Sequence, residues 1–499
     1  AFNNASYFCV GLAPGDHGVL RVRDQARLWV GGDFNVSDQS GSTGTVELEG
    51  GLVRGNVVYV GKAGGTQGTV HHSGGELRSR NWFNVGSHAG STGDYELTGG
   101  QITAGTDLNV SDTPNSTGTL DLVGGKATAF HHYVGKAGGT SGTVNHTGGL
   151  SAINERVILA SAGGSTGSYT LDQDGTLVAH TVAQGAGSGQ FHFQGGTLNA
   201  QVVDFSLANQ GGVLEIGAPS TPGTLKAEWH AGTEFADNAP SATRYVGRVY
   251  GNRFPDGWTG GGDHFSVRYS GELYAPADGT YAFRESNDDG AVLLLDGAEV
   301  LHDTIYNPGG PAWTRHTSNS VFLTEGWHSL EFLASDDVGG QWRQLEWDPS
   351  GGSNWTADFG PYIRALPQAG TTRINGGYSQ GPEGTLAVDL MGLDRGTGYD
   401  WLDVADDALL EGTLDVLVDE VFEQRLTAGN IFDVVEAATV TVDGLTIADN
   451  VDWGYFAYSI VGAPGGRQAL RLEFIPEPTT VALLGLGGLA LLRRRRRTR

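Results

Sequence analysis

Two sets of acidic side chains in this 499-residue chain have the types and spacing that chemistry needs. The first is Asp288-Asp289, followed by Gly290. Adjacent carboxylates on a tight loop can converge on one hard cation such as calcium, which takes six to eight oxygens at about 2.4 Å. Without an ion their repulsion stands uncompensated. The plainer reading is a turn in which one aspartate accepts from its own backbone. The second set recurs along the chain: Glu47, His71, Glu96, Asp121, Asn145, Thr170 and His192.

Those seven positions belong to an internal repeat over residues 28 to about 200. Its marks recur in order: a Val before a small residue, a Ser/Thr-rich turn ending in Gly, an alternating strand, then Gly-Gly. The turn glycines Gly44, Gly68, Gly93, Gly118, Gly142, Gly167 and Gly189 are spaced 24, 25, 25, 24, 25 and 22 apart. After each turn two residues flank one of the seven positions: Val46/Leu48, Val70/His72, Tyr95/Leu97, Leu120/Leu122, Val144/His146, Tyr169/Leu171 and Phe191/Phe193. Alternation predicts that these pairs point inward. A period of this length with short strands and no helical signal predicts an all-β chain whose N-terminal half is a parallel β-solenoid, or β-helix, of seven coils. Successive coils would lie about 4.8 Å apart.

On that spacing Glu96 and Asp121 stand about 5 Å apart, a separation compatible with the carboxylate pair of a glycosidase. No arginine or lysine joins the row to bind an acidic sugar or stabilise a developing carbanion, so a solvated polar face is the expected role. His72 and His146 fall three coils apart, about 14 Å, too far to share an ion. They are read as satisfied interior histidines. No nucleophile elbow, zinc spacing, phosphate loop or dinucleotide fingerprint is present, and no catalytic residue is assigned.

Composition agrees. With 81 glycines and 17% charged residues the chain is neither a charged disordered polymer nor helical. The formal charge of −26 becomes −32 once the six C-terminal arginines are set aside, which makes nucleic acid and anionic membrane poor partners and divalent cations better ones. The single cysteine, Cys9, rules out an internal disulfide framework and is read as a buried structural thiol. The sequence begins at Ala1 without Met, so an export signal is expected to have been removed or to lie outside this stretch.

Gly217-Ala218-Pro219-Ser220-Thr221-Pro222-Gly223 ends the periodicity. Four domains are expected: solenoid over 1–224, an aromatic-rich module over 225–366, a further β segment over 367–474 and a tail over 475–499. The module carries Phe265-Ser266-Val267-Arg268-Tyr269, Gly279-Thr280-Tyr281-Ala282-Phe283, Asn287-Asp288-Asp289-Gly290, Leu295-Asp296-Gly297 and Glu325-Gly326-Trp327-His328. In order and spacing these resemble the anthrax protective-antigen (PA-fourteen) domain, a β-sandwich or barrel found in glycosidases, toxins and adhesins. That resemblance implies carbohydrate recognition, with Asp288 and Asp289 holding Ca²⁺ that binds sugar hydroxyls. It also places Asp337, in Ser335-Asp336-Asp337-Val338-Gly339-Gly340, near a second contact loop. Trp342, between Gln341 and Arg343, is the aromatic best placed to stack on a sugar; Trp258, Trp313, Trp327 and Trp347 are read chiefly as core. The β-repeats resemble those of autotransporter-like surface proteins, and residues 367–474 their closing segment, so the module would be an insertion carried on a solenoid.

The tail has three parts: Pro476-Glu477-Pro478, the apolar run Val481 to Leu492, and arginines from Arg493. Twelve apolar residues reach about 18 Å as a helix, short of the roughly 30 Å of a hydrocarbon core. The arginines would keep that end cytoplasmic. These parts resemble the PEP-CTERM sorting tail of Gram-negative surface proteins, which implies transient membrane contact and cleavage by an exosortase-type enzyme. The expected protein is therefore an exported, non-enzymatic glycan binder of the cell surface or extracellular matrix. A purely structural envelope or biofilm component and a polysaccharide-degrading solenoid enzyme stand as alternatives. Intact-mass analysis of surface material is expected to give a mass below that of the full chain; mature protein still ending at Arg499 would overturn the sorting reading.

Overall fold

The computed structural model describes residues 2–4, 6–233, 240–303, 317–337, 341–352, 355–357 and 359–477. Trp313, Pro478 and Arg493 lie outside the described residues.

Three parallel columns of strands stack coil upon coil, as the period demands. In one column Thr43–Gly55, Gln67–Ser79, Thr92–Leu97, Thr117–Leu122, Ser141–His146, Thr166–Leu171 and Ser188–Phe193 pair in succession. Every turn glycine pairs with the next, so the repeat in sequence is the register in space. All predicted inward residues are buried except Phe191, which is half-buried. Glycine is required where coils touch. A Cβ on Gly93 would lie 2.3 Å from the Val60 carbonyl oxygen, and Gly75, at φ +79°, would put one 2.4 Å from the Gly51 carbonyl oxygen.

The stack starts earlier than the sequence pattern does. Phe2–Asn4, Phe8–Val10 and His17–Val22 already form a coil in register with the next one. This brings Arg21 opposite Glu47, with a 2.5 Å ion pair, so the outward row does contain an arginine. The weak alternation of His17–Val22 hid it. Cys9 is half-buried rather than buried, and its thiol hydrogen-bonds the Gly11 carbonyl at 3.4 Å.

The module interrupts one coil without breaking the stack. Val213–Glu215, before the insertion, pairs in parallel with Thr385–Leu390 after it, and Leu207–Asn209 pairs with Tyr378–Gln380. The leaving and returning chains touch, with the Ala218 N–H donating to the Gln368 carbonyl at 2.9 Å. Asp400, fully buried, holds the return point by accepting from the Gly370 and Asp389 N–H groups at 2.7 and 2.8 Å. Three more coils follow, and the strands Gly454–Gly462 and Gln468–Pro476 close the stack by switching to antiparallel pairing on Ile431–Ala437. Antiparallel closure removes a parallel edge that another chain would otherwise extend.

The module has its own core. One antiparallel sheet orders Ala242–Val246, Leu225–Ala231, Phe265–Ala275, Gly326–Asp336, Gly290–Leu295 and Ala298–Asp303, with Ile363–Arg364 also on Phe265–Ala275. The other orders Tyr250–Gly251, Arg343–Asp348, Gly279–Glu285 and Thr317–Leu323. Buried polar contacts fix it to the solenoid: Arg244 pairs with Glu155 at 2.8 Å, and Lys126 donates to the Gly223 and Gly247 carbonyls at 2.9 and 2.7 Å.

His72 and His146 are satisfied, whereas His132, equally buried, bonds through neither ring nitrogen. His72 Nε2 donates to the Gly75 carbonyl at 3.1 Å, leaving Nδ1 to accept from the Tyr95 hydroxyl at 2.7 Å. His146 repeats this with Gly149 at 3.1 Å and Tyr169 at 2.8 Å. Burial pushes each imidazole down to about 4. An unfolded histidine titrates near 6.5, so between about 6.5 and 4 the unfolded chain binds more protons and stability falls as pH drops. Replacing each His–Tyr pair by Leu–Phe (H72L/Y95F with H146L/Y169F) is expected to move the acid-unfolding midpoint lower, read by circular dichroism. An unchanged midpoint would mean that these imidazoles do not set acid lability.

Candidate ligand-binding site

Three loops meet at one end of the module because strand register puts them there. Gly290, which opens Gly290–Leu295, pairs with Ser335 near the end of Gly326–Asp336. A Cβ on Gly290 would approach the Ser335 hydroxyl to 2.9 Å, so glycine lets the Asp288-Asp289 loop lie against the neighbouring strand end. On the other side of that strand Phe265 pairs with Asp336, which brings in His264.

The loops are tied by their backbones. Asp288 N–H donates to the Trp342 carbonyl at 3.1 Å, Ser286 N–H to the Gln344 carbonyl at 2.9 Å, and Asp337 N–H to Asp289 Oδ2 at 2.5 Å. Asp288 and Asp289 are both buried, each 7% exposed. The Asp337 side chain turns outward instead, and its Oδ1 pairs with His264 Nδ1 at 2.7 Å. Trp342 lies edge-on to Tyr250 with ring centroids 4.9 Å apart.

The third buried carboxylate is Asp336, 3% exposed, and neither of its oxygens has a hydrogen-bond partner. Burial, then Asp289 and Asp288, push it up to about 7. Arg343 opposes this, but its guanidinium also donates to the Gln341 and Arg253 carbonyls at 2.9 and 2.8 Å and lies 4.5 Å over Trp229. The sequence held a signal for Asp336: along Gly326–Asp336 the buried residues Leu330, Phe332 and Ala334 alternate, and Asp336 continues the inward parity. The donor chemistry fits a hard cation, since three carboxylates lie together out of water and both oxygens of Asp336 lack a hydrogen-bond partner. Among the described residues no three acidic, His or Cys side chains already form a metal cluster, so an ion would take further oxygens from backbone carbonyls or water.

The other predicted positions are placed as follows. Glu96 and Asp121 are in register on adjacent coils, but Glu96 faces His71 at 3.0 Å and Asp121 accepts from Asn145 at 2.7 Å, all on an exposed face. Pro476 ends the last strand, and Glu477 N–H donates to the Trp453 carbonyl at 3.0 Å.

Fold and site together define a β-solenoid with an inserted antiparallel sandwich that gathers acidic loops at one end. Residues 220–360 match the PA14 domain, and residues 474–497 the PEP-CTERM protein-sorting motif. The module is thus a PA14 domain and the chain bears a sorting motif. Among solved structures, an anti-sigma factor domain-containing protein from Clostridium clariflavum is 18% identical with a TM-score of 0.25, over 31% of this chain and 51% of that one. The chain therefore spans only about half of that relative's length. Epithelial adhesin 9 A domain from Candida glabrata, in complex with Galb1-4GlcNAc, is 13% identical with a TM-score of 0.24, over 30% and 95%. A PA14 sugar-binding domain from an RTX adhesin is 22% identical with a TM-score of 0.23, over 29% and 98%. No curated protein matched.

Because folding raises the Asp336 pKa above its unfolded value near 3.9, the chelated module keeps this contribution below about 4 and loses it as pH rises to about 7. In chelator, Asp336→Asn is therefore expected to melt higher than the wild-type chain at pH about 8 and to show a flatter pH dependence. Coincident melting curves at both ends of that range would show that Asp336 is not desolvated.

Proposed function

We propose that this protein is exported, that its solenoid serves as a spacer, and that its PA14 domain binds extracellular glycan through calcium at Asp288, Asp289 and Asp336. One observation carries the reading: Asp336, buried with no hydrogen-bond partner on either oxygen, stands beside the buried carboxylates Asp288 and Asp289 at the loop end of a PA14 domain. When bound, the ion would supply a Lewis-acidic centre able to accept vicinal sugar hydroxyls. The chain's own part is to hold the acidic loops together, through the Asp288 N–H on the Trp342 carbonyl and the Asp337 N–H on Asp289 Oδ2, and to keep Trp342 beside them. Asp337, paired with His264, borders the site rather than entering it. The sorting motif supports export and processing by an exosortase-type enzyme at the surface of a Gram-negative-type bacterium.

Catalysis on the solenoid has less support, since Glu96 and Asp121 are engaged with His71 and Asn145 on an open face. Reducing-sugar release from polysaccharides, lost in E96Q/D121N, would favour it.

Calcium titration of the chelated full chain by calorimetry, with glycan arrays in calcium and in chelator, tests the proposal. A hundredfold excess of ion over its Kd is expected to stabilise the PA14 domain by about 2.7 kcal/mol. Asp289→Asn should remove most of that gain, and affinity should weaken as pH falls through about 7, where protons compete at Asp336. Equal melting temperatures in millimolar calcium and chelator would overturn calcium binding. Arrays blank in both conditions would instead favour a purely structural envelope or biofilm component.

A further inference from the structure

Where the PA14 domain meets the first coils, this acidic chain collects arginines. Trp29, Arg54 and Arg78 occupy one outward row, in register from coil to coil, with Arg80 two residues beyond Arg78. Arg78 is buried and donates twice to the Glu76 carboxylate, at 2.7 and 2.8 Å. From the module, Arg284 pairs with Glu346 and lies 4.7 Å over the Trp355 ring. Both nearby carboxylates are therefore already engaged by other arginines. Arg54 makes no side-chain hydrogen bond or ion pair among the described residues. Burial lowers its pKa; of its charged or titratable neighbours, Tyr250 and Glu346 oppose that shift while Arg78 and Arg80 add to it. The Tyr250 hydroxyl is itself buried without a partner.

An arginine stays protonated in a protein, so an anion received by Arg54 would relieve this crowding. The surroundings favour a sugar as its carrier. Trp29, 42% exposed, stands one coil from Arg54, about 4.8 Å away along the stack. An open cleft of about 390 Å³ lies two residues back along the same strands, lined by Asp24, Arg27, Gly51, Leu52, Glu76 and Trp355. Its glycines offer bare backbone to a flat ring, and aromatic rings at two points suit a chain of sugars.

We propose that this seam is a second binding site, for an acidic polysaccharide: a chain of uronate sugars whose carboxylate is received by Arg54, with one ring on Trp29 and the chain continuing toward Trp355. A planar guanidinium matches a carboxylate with two parallel hydrogen bonds. The site shares no residue with the acidic loops and needs no metal.

Calorimetry on the full chain in chelator tests it, with oligogalacturonate as the probe and maltohexaose, poly-glutamate and inorganic sulfate as comparisons. Oligogalacturonate is expected to bind, more weakly as salt rises. Arg54→Gln should lower its affinity about tenfold or more, Arg54→Lys should recover part of the loss, and Trp29→Ala should also weaken it. Because Arg54→Gln removes an unpaired, partly buried charge, its melting temperature is expected to match or exceed that of the wild-type chain, so lost binding would not reflect unfolding. Absence of uronate binding, or equal binding by Arg54→Gln, overturns the proposal. Affinity for poly-glutamate, maltohexaose or sulfate equal to that for oligogalacturonate overturns its assignment to an acidic glycan. Chelator silences the calcium site throughout, so this result and the calcium result stand or fall separately.

Discussion

The in-register hydrogen bonding of each coil to the next is the constraint on which everything else rests. A rung of inward residues runs Leu198, Leu214, Leu386, Leu414 and Ile447, across the whole PA14 insertion without a slip. A one-residue slip would turn every inward side chain outward, so the insertion is tolerated only because its ends lie side by side. The Ala218–Gln368 hydrogen bond and the clamp of Asp400 on Gly370 and Asp389 are the local expression of that requirement. Burial pushes Asp400 up to about 8 and Asp389 to about 6.

The same register sorts polar groups into two kinds. Inside the stack, His72 and His146 each meet a tyrosine one coil later and a glycine carbonyl three residues on, so these two buried imidazoles are fully partnered, while His132 is buried with neither ring nitrogen bonded. At the loop end of the module and along the seam, Asp336 and Arg54 are left without such partners. Stability alone would favour apolar replacements at both places. Their opposite charges point to opposite ligands, a cation at the acidic loops and an anion at the arginine row.

Much of the architecture was legible in the chain. The turn glycines and the inward pairs from Val46/Leu48 onward are repeated local patterns, and a repeat in sequence becomes a stack in space with no further information. The Asp288-Asp289-Gly290 triplet stood out because both carboxylates are neighbours along the chain. Even the His–Tyr pairs were readable in outline: each inward His is followed one period later by an inward Tyr. The first coil was harder to see, because Phe2–Asn4 and Phe8–Val10 are three-residue strands and carry too little alternation.

By itself, then, the sequence determined the period, the inward faces, the insertion and the sorting motif, all properties of residues close together or evenly spaced. Strand parity, readable in the alternation up to Asp336, buries that carboxylate, but only the tertiary structure set it beside Asp288 and Asp289 and sent its neighbour Asp337 to His264. The tertiary structure also decided that Arg54 and Arg78 lie near Glu346, more than two hundred residues away in the chain. Convergence of that kind depends on the docking of two separately packed cores, and no local pattern encodes where one surface will meet the other.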